Sequence, residues 1–161
     1  MKSKELSIAL REMARVQRTP LCDEWYGEWT DDTPVDVLLD KFVRGQDFCI
    51  ENDYPPLEFV RKHFHVSDLH RHHIYIDEEV DIRDAESGTW IFLGNCMGKI
   101  AFSGYSVGTV YVRHGSQVNV SATGSSRVFV SMYEDGYAEC SKSGFARFRR
   151  YDRRDKKKEG V

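Results

Sequence analysis

Apolar residues along the chain change period once, and the change divides it in two. In the stretch 3–18, Leu6, Leu10, Met13 and Val16 recur at three-to-four spacing, which places them on one helical face. Pro20 stops that helix. Thr33-Pro34-Val35-Asp36 reads as the next helix start: Thr33 suits the cap, Pro34 the first helical position and Asp36 the positive end of the helix dipole. Val35, Leu38, Leu39, Phe42 and Val43 form its apolar stripe, extended by Phe48, Cys49 and Ile50, with Gly45 as a break or bend. Tyr54-Pro55-Pro56 punctuates, and residues 57–64 read as a last short helix. Helices are therefore expected over roughly residues 4–64. Trp25, Tyr26 and Trp29 serve as core anchors or as a recognition surface.

From Ile74 onward the apolar period is two, and an 18-residue recurrence is visible. Steps of 18 from Ile74 reach Phe92, Val110, Val128 and Ala146; steps from Ile76 reach Gly94, Val112, Val130 and Phe148. Two further columns are Ile82, Ile100, Val118, Gly136 and Asp84, Phe102, Val120, Ala138. Only Gly94, Gly136 and Asp84 interrupt the apolar character of these columns. A fixed short period is the mark of a solenoid, in which each coil contributes two short strands that stack on their counterparts in the next coil. The fold class is α+β: N-terminal helices followed by a short parallel β-solenoid of 18-residue coils. An antiparallel β-meander or sandwich is the alternative, because it also spaces short strands every 8–12 residues. The calcium signature of nine-residue β-rolls is absent.

The organisation expected is a helical cap over residues 1–66, a solenoid over 67–151 and a charged tail over 152–161. Between the inward columns lie Tyr75, Leu93, Tyr111, Phe129 and Arg147, read as a largely aromatic ladder pointing outward. Such a ladder calls for a cover: the helices, a partner protein, or a second copy of the chain. The open end of a solenoid offers a second route to self-association.

Charge sharpens this picture. The formal net charge is −3, but residues 1–88 carry 11 basic against 20 acidic groups, and residues 89–161 carry 12 against 6. The excess is concentrated in FARFRRYDRRDKKKEGV, which interleaves aromatics with Arg147, Arg149, Arg150, Arg153 and Arg154. That pattern can grip phosphates and stack on bases. No apolar run approaches the ~20 residues of a membrane span, and the N-terminal stretch does not read as a secretory signal, so the expected location is cytoplasmic. Four scattered cysteines, Cys22, Cys49, Cys96 and Cys140, have neither disulfide-framework nor zinc-ribbon spacing.

Candidate chemistry is sparse. HFHVSDLHRHH gathers five histidines, of which His70, His72 and His73 are the candidate metal ligands, with Asp68 nearby; a structural linker is the competing reading. No nucleophile elbow, phosphate loop, dinucleotide fingerprint or H-E-x-x-H motif occurs, and no cofactor is expected. The chain reads as non-catalytic.

LCDEWYGEWTDD, GQDFCIENDYPPLEFVRKHF and HHIYIDEEVDI, followed by YVRHGSQVNV, together resemble small proteins carried by phages and integrative elements of gut bacteria. The resemblance spans nearly the whole chain and implies a mobile-element accessory protein with no established activity. The expected function is binding of another macromolecule, for example inhibition of a host defence factor. The alternative is nucleic-acid binding through the basic C-terminus. The candidate binding residues are Tyr75, Tyr111, Phe129, Arg147, Arg149, Arg150, Arg153 and Arg154.

Overall fold

The computed structural model describes residues 3–16, 30 and 32–154, in two compact units, residues 1–72 and 73–161. Trp25, Tyr26, Trp29, Pro20, Cys22 and the lysine run at 156–158 lie outside the described residues.

The first unit is helical. Its elements are α1 (Ser3–Val16), α2 (Val35–Arg44), α3 (Gln46–Asn52), α4 (Leu57–His63) and α5 (Val66–Arg71). The apolar face of α1 packs as its periodicity predicts: Leu6 and Leu10 are buried with Leu38, Cys49 and Tyr54, and Met13, Phe42 and Phe48 lean on the cluster. The Tyr54 hydroxyl donates to the Leu10 carbonyl at 2.9 Å, so this buried phenol is satisfied, and burial pushes its pKa far up. Gly45 ends α2, donating its N–H to the Lys41 carbonyl, and separates it from α3. Pro34, not Thr33, occupies the cap position of α2; the Thr33 hydroxyl donates instead to the Thr30 carbonyl at 2.8 Å. Helix α5 is an addition to the expected set, because its turn lies inside the histidine run that reads as a linker.

The second unit is a parallel β-solenoid. Strands β1 (Ile74–Ile76), β3 (Gly88–Leu93), β5 (Val107–Val112), β7 (Arg127–Met132) and β9 (Arg147–Asp152) form one sheet. Strands β2 (Glu79–Ile82), β4 (Met97–Phe102), β6 (Gln117–Ala122) and β8 (Tyr137–Lys142) form the other. Every pairing is parallel, which removes the meander alternative. The inward residues of both sheets, among them Trp90, Phe92, Ile100, Phe102, Val110, Val112, Val118, Val120, Val128 and Val130, make one continuous core. A single coil cannot stand alone. Its few valines each contribute about 1.5–3 kcal/mol on burial, against an ordering cost of roughly 1–2 kcal/mol for every residue of the coil. Each coil therefore depends on its neighbour's inner edge.

The coil is longer than the period of the apolar columns suggests. Gly88 pairs with Gly108, Val110 with Val130, and Val118 with Ala138, so register advances by twenty positions per coil rather than eighteen. Each half-coil is a six-residue strand followed by a four-residue turn from β5 onward. Only the step from β2 to β4 keeps the shorter period, pairing Ile82 with Ile100, and the turn it spans at 94–96 is one residue shorter than those that follow. A slip of two positions leaves the inward set of the regular coils unchanged, since side chains alternate with period two. It does misassign neighbours. Tyr111 lies between Ile91 and Ser131, rather than between Leu93 and Phe129.

The first coil departs from the regular register in a second way. The step from β1 to β3 pairs Ile74 with Ile91, and such an odd step reverses the faces. Tyr75 therefore pairs with Phe92 and packs on the solenoid core, its ring stacked 5.6 Å from that of Phe92. It is not an outward residue. Leu93 is outward in register but buried. The continuous outward ladder is thus not formed: the aromatics fall in different columns.

The corners explain the regularity. At 103–106, 123–126 and 143–146 a tight turn places Gly104, Gly124 and Gly144 at positive φ, one above the other. A Cβ on Gly124 would lie 3.0 Å from the Gly104 nitrogen, so both φ and spacing demand glycine there. Each corner hydrogen-bonds to the one before it, Ser125 N–H to the Gly104 carbonyl and Phe145 N–H to the Gly124 carbonyl, both at 2.8 Å. Part of the turn's backbone is thereby satisfied by the coil before it, and the Ser126 hydroxyl adds a bond to the Thr123 carbonyl at 2.8 Å.

Candidate anion-binding face

The outward positions of β5, β7 and β9 are Val107, Thr109 and Tyr111; Arg127, Phe129 and Ser131; and Arg147, Arg149 and Tyr151. Register puts Arg127 beside Arg147 and Phe129 beside Arg149. Adjacent strands are about 4.8 Å apart, so three guanidinium groups and an aromatic ring share a small area. Arg127, Phe129, Arg147 and Arg149, with Val128 and Phe148, line an open groove of about 300 Å³. The three arginines are exposed and make no ion pair with any described residue. None of the nine outward residues is acidic.

The opposite face has the reverse sign. Outward positions of β2, β4, β6 and β8 include Glu79, Asp81 and Glu139 against Lys99 alone, with Asp81, Lys99, Asn119 and Glu139 aligned in one row. This face carries another groove, of about 450 Å³, lined by Asp81, Lys99, Asn119, Tyr137 and Glu139 among others. The charge asymmetry along the sequence becomes, within the solenoid, an asymmetry between its two sides.

Two corner residues extend the basic side. Tyr105 and Phe145 follow the stacked glycines Gly104 and Gly144 and are 88% and 85% exposed, with Ser125 in the corner between them. Each is followed two positions later by the first residue of a strand on the basic face, Val107 and Arg147. Neither ring is covered, although an exposed phenylalanine has nothing to gain from water.

The other expected binding residues are engaged elsewhere. Arg150 occupies an inward register position beside Val130 and donates to the Ala138 carbonyl at 3.2 Å. Arg154 chelates Asp152, with Nη2 to Oδ2 at 2.6 Å and Nε to Oδ1 at 2.9 Å, and its guanidinium lies 5.3 Å from the Tyr137 ring centre. That hydrogen-bonded guanidinium holds the Asp152 carboxyl at about 2. Arg153 lies over the Tyr151 ring at 5.6 Å. Tyr111 is half-buried and stacks against Tyr133 at 6.5 Å. Of the binding residues expected from the sequence, Phe129, Arg147 and Arg149 come together in the groove. Tyr75, Tyr111, Arg150, Arg153 and Arg154 do not line it.

The histidines separate as well. His72 Nε2 lies 3.0 Å from Asp36 Oδ1, and Arg71 donates to the same oxygen at 2.9 Å; hydrogen bonds from His72 and then Arg71 hold the Asp36 carboxyl below its usual value. His73 Nε2 lies 2.8 Å from Glu86 Oε1, and its ring stacks on Trp90 at 3.7 Å. His70 sits in the last turn of α5. Among the described residues no group of three or more histidines, cysteines or carboxylates could hold a metal ion.

Arg127 and Tyr105 carry no local signal that marks them as site residues, whereas Phe145 opens the basic, aromatic-bearing C-terminal segment. The signal that finds them is the column of glycines one coil apart, Gly104, Gly124 and Gly144, which fixes the corners and hence the true register. No family model, no curated protein and no solved structure matches the chain. No helix among the described residues is long and apolar enough to cross a membrane.

Proposed function

We propose that the protein is a non-catalytic binding protein whose solenoid presents the outer face of β5, β7 and β9 to an anionic macromolecule. The observation that carries this reading is the set of three exposed arginines, without an ion pair among the described residues, on a face that has no carboxylate. A solvated surface usually mixes both signs, and a one-sign patch on a chain of net charge −3 draws an anionic partner by local rather than overall charge. The parallel stack supports the role mechanically, because it holds the arginines on hydrogen-bonded strands rather than on a loop.

Retention on a polyanionic resin tests the reading. The wild-type chain should be retained at low salt and elute as salt rises, and so should a chain truncated after Arg154. The triple variant Arg127→Glu, Arg147→Glu, Arg149→Glu should flow through with an unchanged circular dichroism spectrum. Equal retention of the triple variant and wild type would overturn it, as would wild-type flow-through.

A further inference from the structure

We infer that the anionic partner of this face is single-stranded nucleic acid, with its phosphates on Arg127, Arg147 and Arg149 and its bases stacked on Tyr105, Phe145 and Phe129. The inference rests on the binding reading above and adds the chemistry of the partner. Arginines alone would suit any polyanion. The aromatics make the choice.

Tyr105 and Phe145 occupy equivalent corners two coils apart, so their backbones lie on the same edge of the solenoid about 10 Å from one another, twice the strand spacing. Both side chains are exposed at the tips of turns that are closed by hydrogen bonds of other groups, Ser106 N–H to the Ser103 carbonyl in one and Phe145 N–H to the Gly124 carbonyl in the other, so neither ring contributes to holding its turn. Arg147, two residues after Phe145, and Arg127 beside it are first residues of their strands and line the near part of the groove. Phe129, half-buried within the groove, presents a third ring beside Arg149. A ligand that meets the whole surface must offer anionic groups and flat apolar faces in alternation.

Single-stranded nucleic acid does so: every nucleotide supplies one phosphate and one base with two π faces. A duplex keeps its bases stacked on one another and would leave Tyr105 and Phe145 without partners. An acidic peptide satisfies the guanidinium groups but brings no planar groups to the corners. Recognition of this kind is independent of sequence, since stacking accepts any base and the arginines contact only phosphate.

Fluorescence anisotropy with a labelled oligothymidylate of about a dozen nucleotides tests the inference, with a duplex of equal length and an oligoglutamate peptide as competitors. Wild-type protein should bind the single strand, with the logarithm of affinity falling against the logarithm of salt at a slope of about −2, as three phosphate contacts on a single strand require. The variant Tyr105→Ala, Phe145→Ala should weaken binding about tenfold or more and leave the salt slope unchanged, because it removes stacking and no charge. The triple Arg→Glu variant should abolish binding. If oligoglutamate competes as well as unlabelled single strand and the aromatic variant binds normally, the inference fails while the anion-binding reading survives. A duplex that binds as tightly as the single strand, with no effect of the aromatic variant, likewise overturns the inference alone. If none of the three ligands binds, both fall.

Discussion

Gly108 and Phe102 show how closely a single side chain is fitted inside the coil. Gly108 occupies an inward position, and a Cβ there would lie 2.3 Å from Phe102 Cε1. The phenyl ring therefore fills the space that the glycine leaves. Gly108→Ala should cost about 1–3 kcal/mol by overpacking, and Phe102→Ala about 3–5 kcal/mol by opening a cavity. The double variant should lose clearly less than the sum, because each change relieves the other. Urea unfolding of the four proteins measures this, and strict additivity would contradict the fitted contact. The same scale explains why part of the face is hidden in the sequence. Arg147 and Arg149 stand out in a visibly basic run, whereas Arg127 is an isolated arginine between serine and valine. Its significance depends on Arg147 lying beside it, one full coil further along the chain.

Among the elements, the turn that joins the sheets at 113–116 is held to the next turn by a charge. Arg113 is only 4% exposed, and its Nε donates to Glu134 Oε1 at 3.1 Å. Glu134 Oε2 accepts from the His114 backbone N–H at 3.1 Å, and His114 Nδ1 in turn accepts from the Gly94 N–H at 3.0 Å. Three successive turns are thus tied by side chains reaching back to backbone. Arg113 Nη2 is buried with no hydrogen-bond partner, so the Glu134 contact is what compensates this guanidinium. Glu134→Gln retains an acceptor but removes the charge, and leaving a buried ion unpaired typically costs about 3–5 kcal/mol. A large fall in the urea midpoint is expected, with recovery on adding Arg113→Met. An unchanged midpoint in Glu134→Gln would show that the pair contributes nothing. Sequence patterning reveals the strands flanking these turns but not the tie, because Arg113 and Glu134 are 21 positions apart and neither breaks the local pattern.

At the scale of the molecule, the coil length has a direct consequence. Deleting residues 107–126 removes one complete coil and joins Ser106 to Arg127, so that Ser106 takes the place of Ser126. The remaining corners and inward columns stay aligned. Such a chain should fold with a smaller urea m-value, in proportion to the surface lost. Deleting 109–126 instead stops two positions short of a coil, keeps the apolar alternation, and misaligns the glycine corners. It should unfold at lower urea or aggregate. Equal stability of the two deletions would refute the coil length.

That helices precede a stack of short strands is legible from periodicity alone, as are the residues of β5 to β8 that face inward. Val110, Val112, Val118 and Val120 announce their face because alternation is a local property with period two. Which coil residue lies above which is not legible, since a slip by two preserves every inward position. Nor is the orientation of Tyr75, where the odd step from Ile74 to Ile91 reverses the faces. Those points depend on the stacked glycine corners and the length of each turn, which act only once coil lies on coil. The basic face follows from the same contacts: Arg127, Arg147 and Arg149 become one site because hydrogen bonding between coils brings distant positions to strand spacing.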